Sequence, residues 1–551
     1  MDREVPLLQP TGPGSGPTVY YRGLHLYSSR RPEAAPDRLA AETPLLPETL
    51  ILIPSLGLGY GVDRLLERLP RHCHVLCVEH DPALWNLARQ ARRDLAGRDH
   101  VTLLLAENLA PLKGFLDALP VGLCRRVVTL PLCGGARLFP EFYRTVETFL
   151  ADGIQTYWQN RMTLIHMGRL FIKNLYANLA LLPRARDLGG LASDRPVVVV
   201  GAGPSLSSTL PLLRRLRRRT ILLAVDTALP VLLDSGLTPD YVLALEPQFI
   251  NINDFLGLPD ASVAVLADLA SSPQVVRFCL ERRRCEVFFF SSVFHPLSLW
   301  RRLEEERLRP SAIPPLGSVG VAAVYASLLI TRGAVLCSGL DFSYPLRRTH
   351  AAGSPSLNSE LATARRSRPV GHLEFAALTE RPRVTLRDKN GSRVESDLVL
   401  SSYAKHLQAL IAGQKRVYDI SPLGLDLGAP FLSRDHDIMG ILDGSAAGGT
   451  PAPPASRPAA WNIENVKRFY ESERRLLEES DAVWRLLTAP AAPESGVIEG
   501  ERRVIVARTE HAYVHLPGKA AWPAYTRASA ARALIEGRIL SERIRRLTLT
   551  L

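Results

Sequence analysis

The chain has 551 residues, more than one compact core usually holds, so about three to five folding units are expected. Apolar residues make up 46% and charged residues 22%, which excludes a disordered, collagenous or disulfide-framework chain. The net charge of +12 is carried by 60 arginines against 7 lysines, a bias of composition that does not by itself imply nucleic acid. Seven cysteines form no CxxC pair and sit mostly in apolar runs such as His74–Val78. They read as buried thiols of a reducing cytosol rather than disulfides or metal ligands. Met1–Pro6 lacks the charged and apolar regions of a cleaved signal. The longest uncharged apolar stretch, Val319–Ile330, is shorter than the ~20 residues that cross a bilayer. A cytoplasmic protein with no membrane span and no metal site is expected.

In chain order, residues 1 to 45 read as an irregular lead-in with one edge strand at Thr18–Tyr21. A strand at Leu50–Ile53, the glycine turn Gly57-Leu58-Gly59-Tyr60-Gly61 and an amphipathic helix over Val62–Leu69 follow. The next strand, Val75–Val78, ends in Glu79, 22 residues after Gly57. That spacing predicts a Rossmann-like N-terminal domain over 1–150, with Gly57, Gly59 and Glu79 as a candidate ligand site. The third glycine of the GxGxxG pattern is displaced, so a merely tight turn without a ligand stands as an equal reading. A helical bridge, read as a hairpin bearing Asn160, Asn174 and Asn178, is expected over 151–194. A second α/β domain over 195–440 opens with Val197–Val200, an apolar run of the kind buried on both faces of a sheet. The Pro- and Ala-rich segment over 441–460 reads as a linker, and 461–551 as a mainly helical C-terminal region.

Within the second α/β domain, Val200-Gly201-Ala202-Gly203-Pro204-Ser205 runs from a strand through a glycine turn into a leucine-periodic helix. Glycine permits close approach, Ser205 can cap the helix, and free N-terminal amides favour an anion such as phosphate. No Gly-Lys-Ser/Thr follows, which argues against Walker-type hydrolysis. The next strands deliver Asp226-Thr227 and Glu246-Pro247-Gln248 to the same rim, where ligands bind in open α/β sheets. Further on, Gly317-Ser318 opens an apolar helix, and a strand ends in Gly339-Leu340-Asp341, followed by Tyr344 and Arg347-Arg348-Thr349-His350. Tyrosine, arginine and histidine together can bind an anionic leaving group and supply a base near neutral pH. The arginines of Leu213–Arg219 read as a solvated helix face rather than a nucleic-acid patch.

These residues resemble the motility-associated factor (Maf) proteins, bacterial flagellin glycosyltransferases. The central domain of that family is similar to the archaeal 6-hydroxymethylpterin diphosphokinase (MptE-like) and to bacterial sialyltransferases. The resemblance is carried by Gly201–Leu206, Val225–Gln248, Gly317–Ser327, Cys337–Pro345 with Arg348–His350, Asn390–Tyr403 and Arg416–Ser421, and it spans about residues 50 to 430. It implies transfer of a nonulosonic, sialic-acid-like sugar from a CMP-activated donor to Ser or Thr of flagellin, with no nucleic-acid partner. Carried over by motif, Gly201, Gly203, Pro204 and Ser205 lie at the nucleotide, together with Gly339. Asp226 and Glu246 bind cytidine and ribose, Ser318 holds the nucleotide and Tyr344 binds the leaving phosphate, with Thr227, Gln248 and Arg348 as further candidate nucleotide- or sugar-binding residues. The histidine that the sialyltransferases use as base is missing before Tyr403, so His350, with Asp341, is taken as the catalytic pair. A Mg-ATP-dependent diphosphokinase and a catalytically degenerate flagellin-binding protein are the alternatives. The need for Mg2+, the identity of the sugar and the presence of an oligomer stay open at this point.

Overall fold

The computed structural model describes residues 5–119, 121–258, 263–282, 285–292, 297–447, 461–517 and 524–551. The chain forms two compact units, Met1–His166 with Leu516–Tyr525, and Met167–His515 with Thr526–Leu551.

In the first unit, β1 (Thr49–Pro54), β2 (His74–Glu79), β3 (Val101–Leu105) and β4 (Arg126–Thr129) form a parallel sheet in the order β3-β2-β1-β4. Every residue of β1 is buried, as its apolar run and central place require. The lead-in is more ordered than its composition suggests. Leu7–Gln9, Thr18–Tyr21 and Leu24–His25 form an antiparallel sheet, and Ala34–Glu42 a helix. Helix α1 (Pro140–Leu179) is continuous over 40 residues, which corrects the expected hairpin. Its interior contains no proline, and two isolated glycines, Gly153 and Gly168, cost about 1 kcal/mol each without breaking a helix.

Among the described residues the second unit is built on nine parallel strands. These include β5 (Val197–Val200), β6 (Ile221–Val225), β7 (Tyr241–Ala244), β8 (Val263–Asp268), β9 (Cys285–Ser292) and β10 (Val335–Ser338). A separate antiparallel hairpin, β11 (Arg383–Arg387) and β12 (Arg393–Asp397), precedes β13 (Val417–Asp419). The sheet runs β9-β8-β7-β6-β5-β10-β13, with Ala312–Ile313 and Arg186–Asp187 both paired to β9. The fold is α/β with parallel sheets, and strand order reverses direction between β5 and β10, where crevices form in such sheets.

The helices used below are α2 (Leu206–Leu216), α3 (Val319–Ile330), α4 (Pro355–Thr363), α5 (Val370–Thr379), α6 (Leu398–Ile411) and α7 (Asp435–Ala447). They are followed by α8 (Ile463–Thr488), α9 (Gly500–Arg508) and α10 (Arg527–Thr550), so the C-terminal region is mainly helical. Helix α7 occupies the first part of the expected linker; residues 448–460 lie outside the described residues. Asn174 and Asn178 anchor the end of α1. Asn174 Nδ2 donates to the carbonyls of Pro247 and Ala270, and Asn178 Nδ2 to those of Leu269 and Ser271. All seven cysteines are free thiols; Cys285 is half-buried and the other six are buried.

Candidate functional site

At the β5/β10 reversal the two glycine turns meet each other. The Gly201 amide donates to Ser338 O at 2.7 Å and that of Gly203 to Gly339 O at 2.9 Å. A Cβ on Gly201 would lie 2.5 Å from Gly339 O, and one on Gly203 2.7 Å from the Asp341 carboxylate. The glycines are therefore required by backbone meeting backbone. Ser205 is wholly buried and Asp341 only 2% exposed. The Ser205 amide donates to Asp341 Oδ2 at 2.8 Å, and its hydroxyl donates to Oδ1. This corrects two expectations: Ser205 makes no side-chain cap to α2, and the amide meant for a phosphate is taken by the chain's own carboxylate. Burial pushes the Asp341 carboxyl up to about 6.

A second group gathers past β6 and β7. Asp226 Oδ1 accepts from the Thr227 amide at 2.8 Å, and Oδ2 from Asn251 Nδ2 at 3.1 Å. The same Asn251 nitrogen donates to Asp254 Oδ2 at 2.8 Å. Burial, then the negative charges of Asp254 and Glu246, push Asp226 up to about 7. Burial likewise brings Asp254 to about 6 and raises Glu246. Gln248 is exposed beside them and Thr227 half-buried.

These raised carboxyls predict an inverted pH response. A carboxyl whose folded value exceeds its unfolded one binds more protons when folded, so its contribution to stability falls as pH rises between the two values. Asp226→Asn is expected to raise the melting temperature by several degrees at pH 8 and to change it little near pH 4. Thermal scans across that range would contradict this if the variant were less stable at pH 8.

The third wall comes from α3, α6 and the β11–β12 hairpin. Ser318 precedes α3 in extended conformation, half-buried, and makes no side-chain capping bond. Gly317 has φ +72°, and a Cβ there would lie 3.0 Å from the ring of Tyr403 on α6. Burial raises the Tyr403 hydroxyl; Arg381 opposes the rise, while Glu246 and Asp397 add to it. Asp397, at the end of β12, is 1% exposed. Its Oδ1 caps α6 by accepting from the Val399 and Leu400 amides at 2.7 and 2.8 Å, and its Oδ2 accepts from the Tyr344 hydroxyl at 2.6 Å. Burial and this carboxylate push the Tyr344 hydroxyl well up. His350 is half-buried, burial lowers its imidazole, and Nδ1 has no partner among the described residues. The following amide, that of Ala351, donates to Ala202 O at 2.8 Å, which lays the His350 loop against the first glycine turn. Arg348 is exposed.

The structure thus packs Gly201, Gly203, Pro204, Ser205, Gly339 and Asp341 into one closed cluster. It joins Asp226 to Asp254 through Asn251, joins Tyr344 to Arg381 through Asp397, and sets Tyr403 against Gly317 beside Ser318; sequence reasoning gave none of Asn251, Asp254, Asp397, Tyr403 and Arg381 a role. An aspartate before an apolar helical run, as in Asp397-Leu398-Val399, is a cap signal that could have been read; Asp254, in a short 3-10 turn, has no such signal.

The candidate ligand site of the first unit is filled from within. Glu79 is 2% exposed. It accepts from Ser55 Oγ at 2.7 Å, the amides of His80 and Asp81 at 3.0 and 3.3 Å, and the Tyr143 hydroxyl at 3.1 Å. The Tyr27 hydroxyl takes the Leu58 amide at 2.9 Å and donates to Leu56 O at 3.1 Å; a Cβ on Gly57 would lie 2.5 Å from it. Arg92 covers Gly59 and donates to its carbonyl at 2.9 Å. Gly57 is thus closed by Tyr27 of the lead-in, Gly59 by Arg92, and Glu79 by Ser55 and Tyr143, instead of opening to a ligand. Tyr27→Gly is expected to cost about 3–5 kcal/mol by leaving a cavity. Added p-cresol should restore part of the lost melting temperature, whereas no rescue would show that the site collapses.

Residues 169–346 match the family described as 6-hydroxymethylpterin diphosphokinase MptE-like. An uncharacterized protein of Treponema pallidum (strain Nichols) is 31% identical over 530 residues, covering 91% of this chain and 89% of that one. The chain belongs to the family of this Treponema protein. A second Treponema pallidum protein, also uncharacterized, is 32% identical over 114 residues, 20% of this chain and 54% of that one. Among solved structures, a MAf glycosyltransferase from Magnetospirillum magneticum AMB-1 superposes with a TM-score of 0.55 at 15% identity, covering 99% of this chain and 92% of that one. The Maf fold and the MptE-like domain expected from the motifs are both present. The MptE-like domain contains Ser205, Asp226, Glu246, Asp254, Ser318 and Tyr344; His350, Arg381, Asp397 and Tyr403 follow it in the chain.

Proposed function

We propose that the chain is a cytoplasmic glycosyltransferase that moves a nonulosonic sugar from its CMP-activated form to a Ser or Thr hydroxyl of flagellin, in support of flagellar assembly. The reading rests on the polar groups Glu246, Ser318, Tyr344 and Tyr403 that follow β7 and β10, open α3 and lie on α6, set in a fold shared with a MAf glycosyltransferase. In this reading Ser318 and the opening amides of α3 meet the phosphate of CMP, with the Tyr403 hydroxyl and Arg381 beside it. Glu246, exposed past β7, accepts hydrogen bonds from ribose and sugar hydroxyls, while Asp226, buried and held by the Thr227 amide and Asn251, stays an interior group. The acceptor oxygen attacks the anomeric carbon, the bond from that carbon to the phosphate oxygen breaks, and CMP leaves with the electron pair. The acceptor proton passes to His350, which burial keeps neutral below the ordinary histidine value.

The test is incubation of the purified protein with CMP-nonulosonate and flagellin. Release of CMP with the mass of one sugar residue (the sugar less water) added per modified site is the expected result, and the absence of both overturns the reading. The acid limb of kcat/KM should lie below pH 6.5 and vanish with the activity in His350→Ala.

A second reading, pyrophosphate transfer from ATP to 6-hydroxymethylpterin, is favoured by the family match and by Asp254, which supplies a further carboxylate beside Asp226. It calls for Mg2+, and the donor set does not fit that ion. Asn251 Nδ2 already donates to both Asp226 and Asp254, and the other Asp226 oxygen is held by the Thr227 amide. Production of AMP from ATP and the pterin would favour this reading over the first.

A further inference from the structure

Between Tyr344 and Asp397, whose side chains bond to each other at 2.6 Å, the chain makes a long excursion through α4, α5 and the β11–β12 hairpin. Its surface combines two properties that seldom coincide on a solvated face. Leu346 is 73% exposed, and Leu361 and Phe375 are exposed with it. The same stretch of chain carries Arg347, Arg348, Arg365, Arg366 and Arg368, all exposed. Among the described residues none of these five guanidiniums is paired with a carboxylate. The arginines of α2 and the turn after it behave differently: Arg215, Arg217 and Arg219 pair with Asp435, Asp240 and Asp443, and Arg214 donates to Ser235 O.

The turn that begins this surface is also strained. Leu346 and Arg347 both have φ +57°, a left-handed conformation disfavoured for residues with side chains, and one that concentrates at functional sites. The strain holds an apolar and a cationic side chain out to solvent two and three residues beyond Tyr344. Exposed apolar side chains among unpaired cations are complementary to a segment with the opposite charge and the same apolar content.

We propose that this excursion is a docking surface for an acidic, apolar-bearing polypeptide segment, which brings an acceptor hydroxyl to the rim at Tyr344. The surface rests on the transferase reading only for the use made of the bound segment. An acidic segment takes Arg347, Arg348 and Arg365–Arg368 as its counter-charges, and its leucines or phenylalanines cover Leu361 and Phe375. The Tyr344–Asp397 bond ties both ends of the excursion to the site.

The test uses the full chain and a fluorescent 18-residue peptide of Glu, Leu, Phe and Ser, followed by anisotropy. The comparison probes are the same peptide with Lys for Glu, a single-stranded RNA oligomer and phosphatidylserine vesicles. The acidic peptide is expected to bind best. The triple variant Arg365→Ser, Arg366→Ser, Arg368→Ser should weaken it about tenfold, as should raising the salt from low to high ionic strength. Leu361→Ser with Phe375→Ser should weaken it at low and high salt alike. Peptide binding that is absent or unchanged in both variants overturns the proposal, as does stronger binding of RNA or vesicles. Release of CMP from CMP-nonulosonate without peptide separates the two ideas. If peptide binding follows the variants while no CMP is released, the docking surface stands and the transferase reading fails. If CMP is released equally by wild type and variants and the peptide does not bind, the reverse holds.

Discussion

Gly339→Ala is expected to cost the larger unit about 2–5 kcal/mol, a sizeable share of the ~5–15 kcal/mol by which folded domains are usually stable. Two penalties add. Gly339 has φ +68°, where a side chain costs about 1–2 kcal/mol. Its added Cβ would also press into the Gly201 carbonyl and lie 3.3 Å from Leu206 Cβ, an overpacking worth about 1–3 kcal/mol or more because backbone cannot step aside. Gly236→Ala isolates the first penalty: its φ is +71° and nothing lies within 4 Å of the added carbon. Urea midpoints should therefore fall far more for position 339 than for 236. Equal losses would mean that the turns of β5 and β10 are not pressed together.

Removing the Glu473 carboxylate should be as costly. Glu473 is wholly buried and accepts from Arg302 Nε at 2.5 Å, a second Arg302 nitrogen at 3.0 Å and the Tyr176 hydroxyl at 2.7 Å. His511 Nε2 lies 3.3 Å away. These four side chains tie the end of α1, the helix Ser298–Glu305, α8 and the turn Glu510–Tyr513 into one core. Glu473→Gln leaves the Arg302 charge buried without its counter-ion, an expected loss of about 3–5 kcal/mol. Replacing both by methionine should recover most of it, and a double-mutant cycle reads the coupling. Burial alone would raise the Glu473 carboxyl, but His511, Arg302 and Tyr176 outweigh it and hold it below its ordinary value. Its stabilisation is thus complete above the unfolded carboxyl value and lost as pH falls through the folded one. An acid midpoint that does not move in the double-methionine variant would contradict this.

The strands were legible because their signal is local. Val197–Val200, Ile221–Val225 and Tyr241–Ala244 are apolar runs, and a parallel sheet is the arrangement that buries such runs on both faces. What the glycines do was not legible. Gly201, Gly203 and Ser205 look like a phosphate cradle, but their partners, Gly339 and Asp341, come from a strand more than 130 residues later, and no spacing announces that a turn will be closed by another turn. The Gly57 turn misleads for the same reason: Tyr27, which fills it, belongs to a lead-in whose composition suggests no order. The rim was half visible. Asp226, Glu246, Ser318 and Tyr344 follow strands or open helices, where polar groups are conspicuous, whereas Asn251 and Asp254 lie in a 3-10 turn without periodicity. Tyr403 sits within a helix whose heptad-like spacing reads as ordinary packing.

The thiols offer a practical handle on all of this. With six of seven sulfurs sealed in the interior and Cys285 half-open at the start of β9, a maleimide dye has one preferred point of attachment in the native state. Helped by the nearby Cys279 thiol and the Arg282 charge, which favour its reactive anion, that sulfur makes the wild-type chain a ready template for site-specific fluorescence without prior cysteine removal.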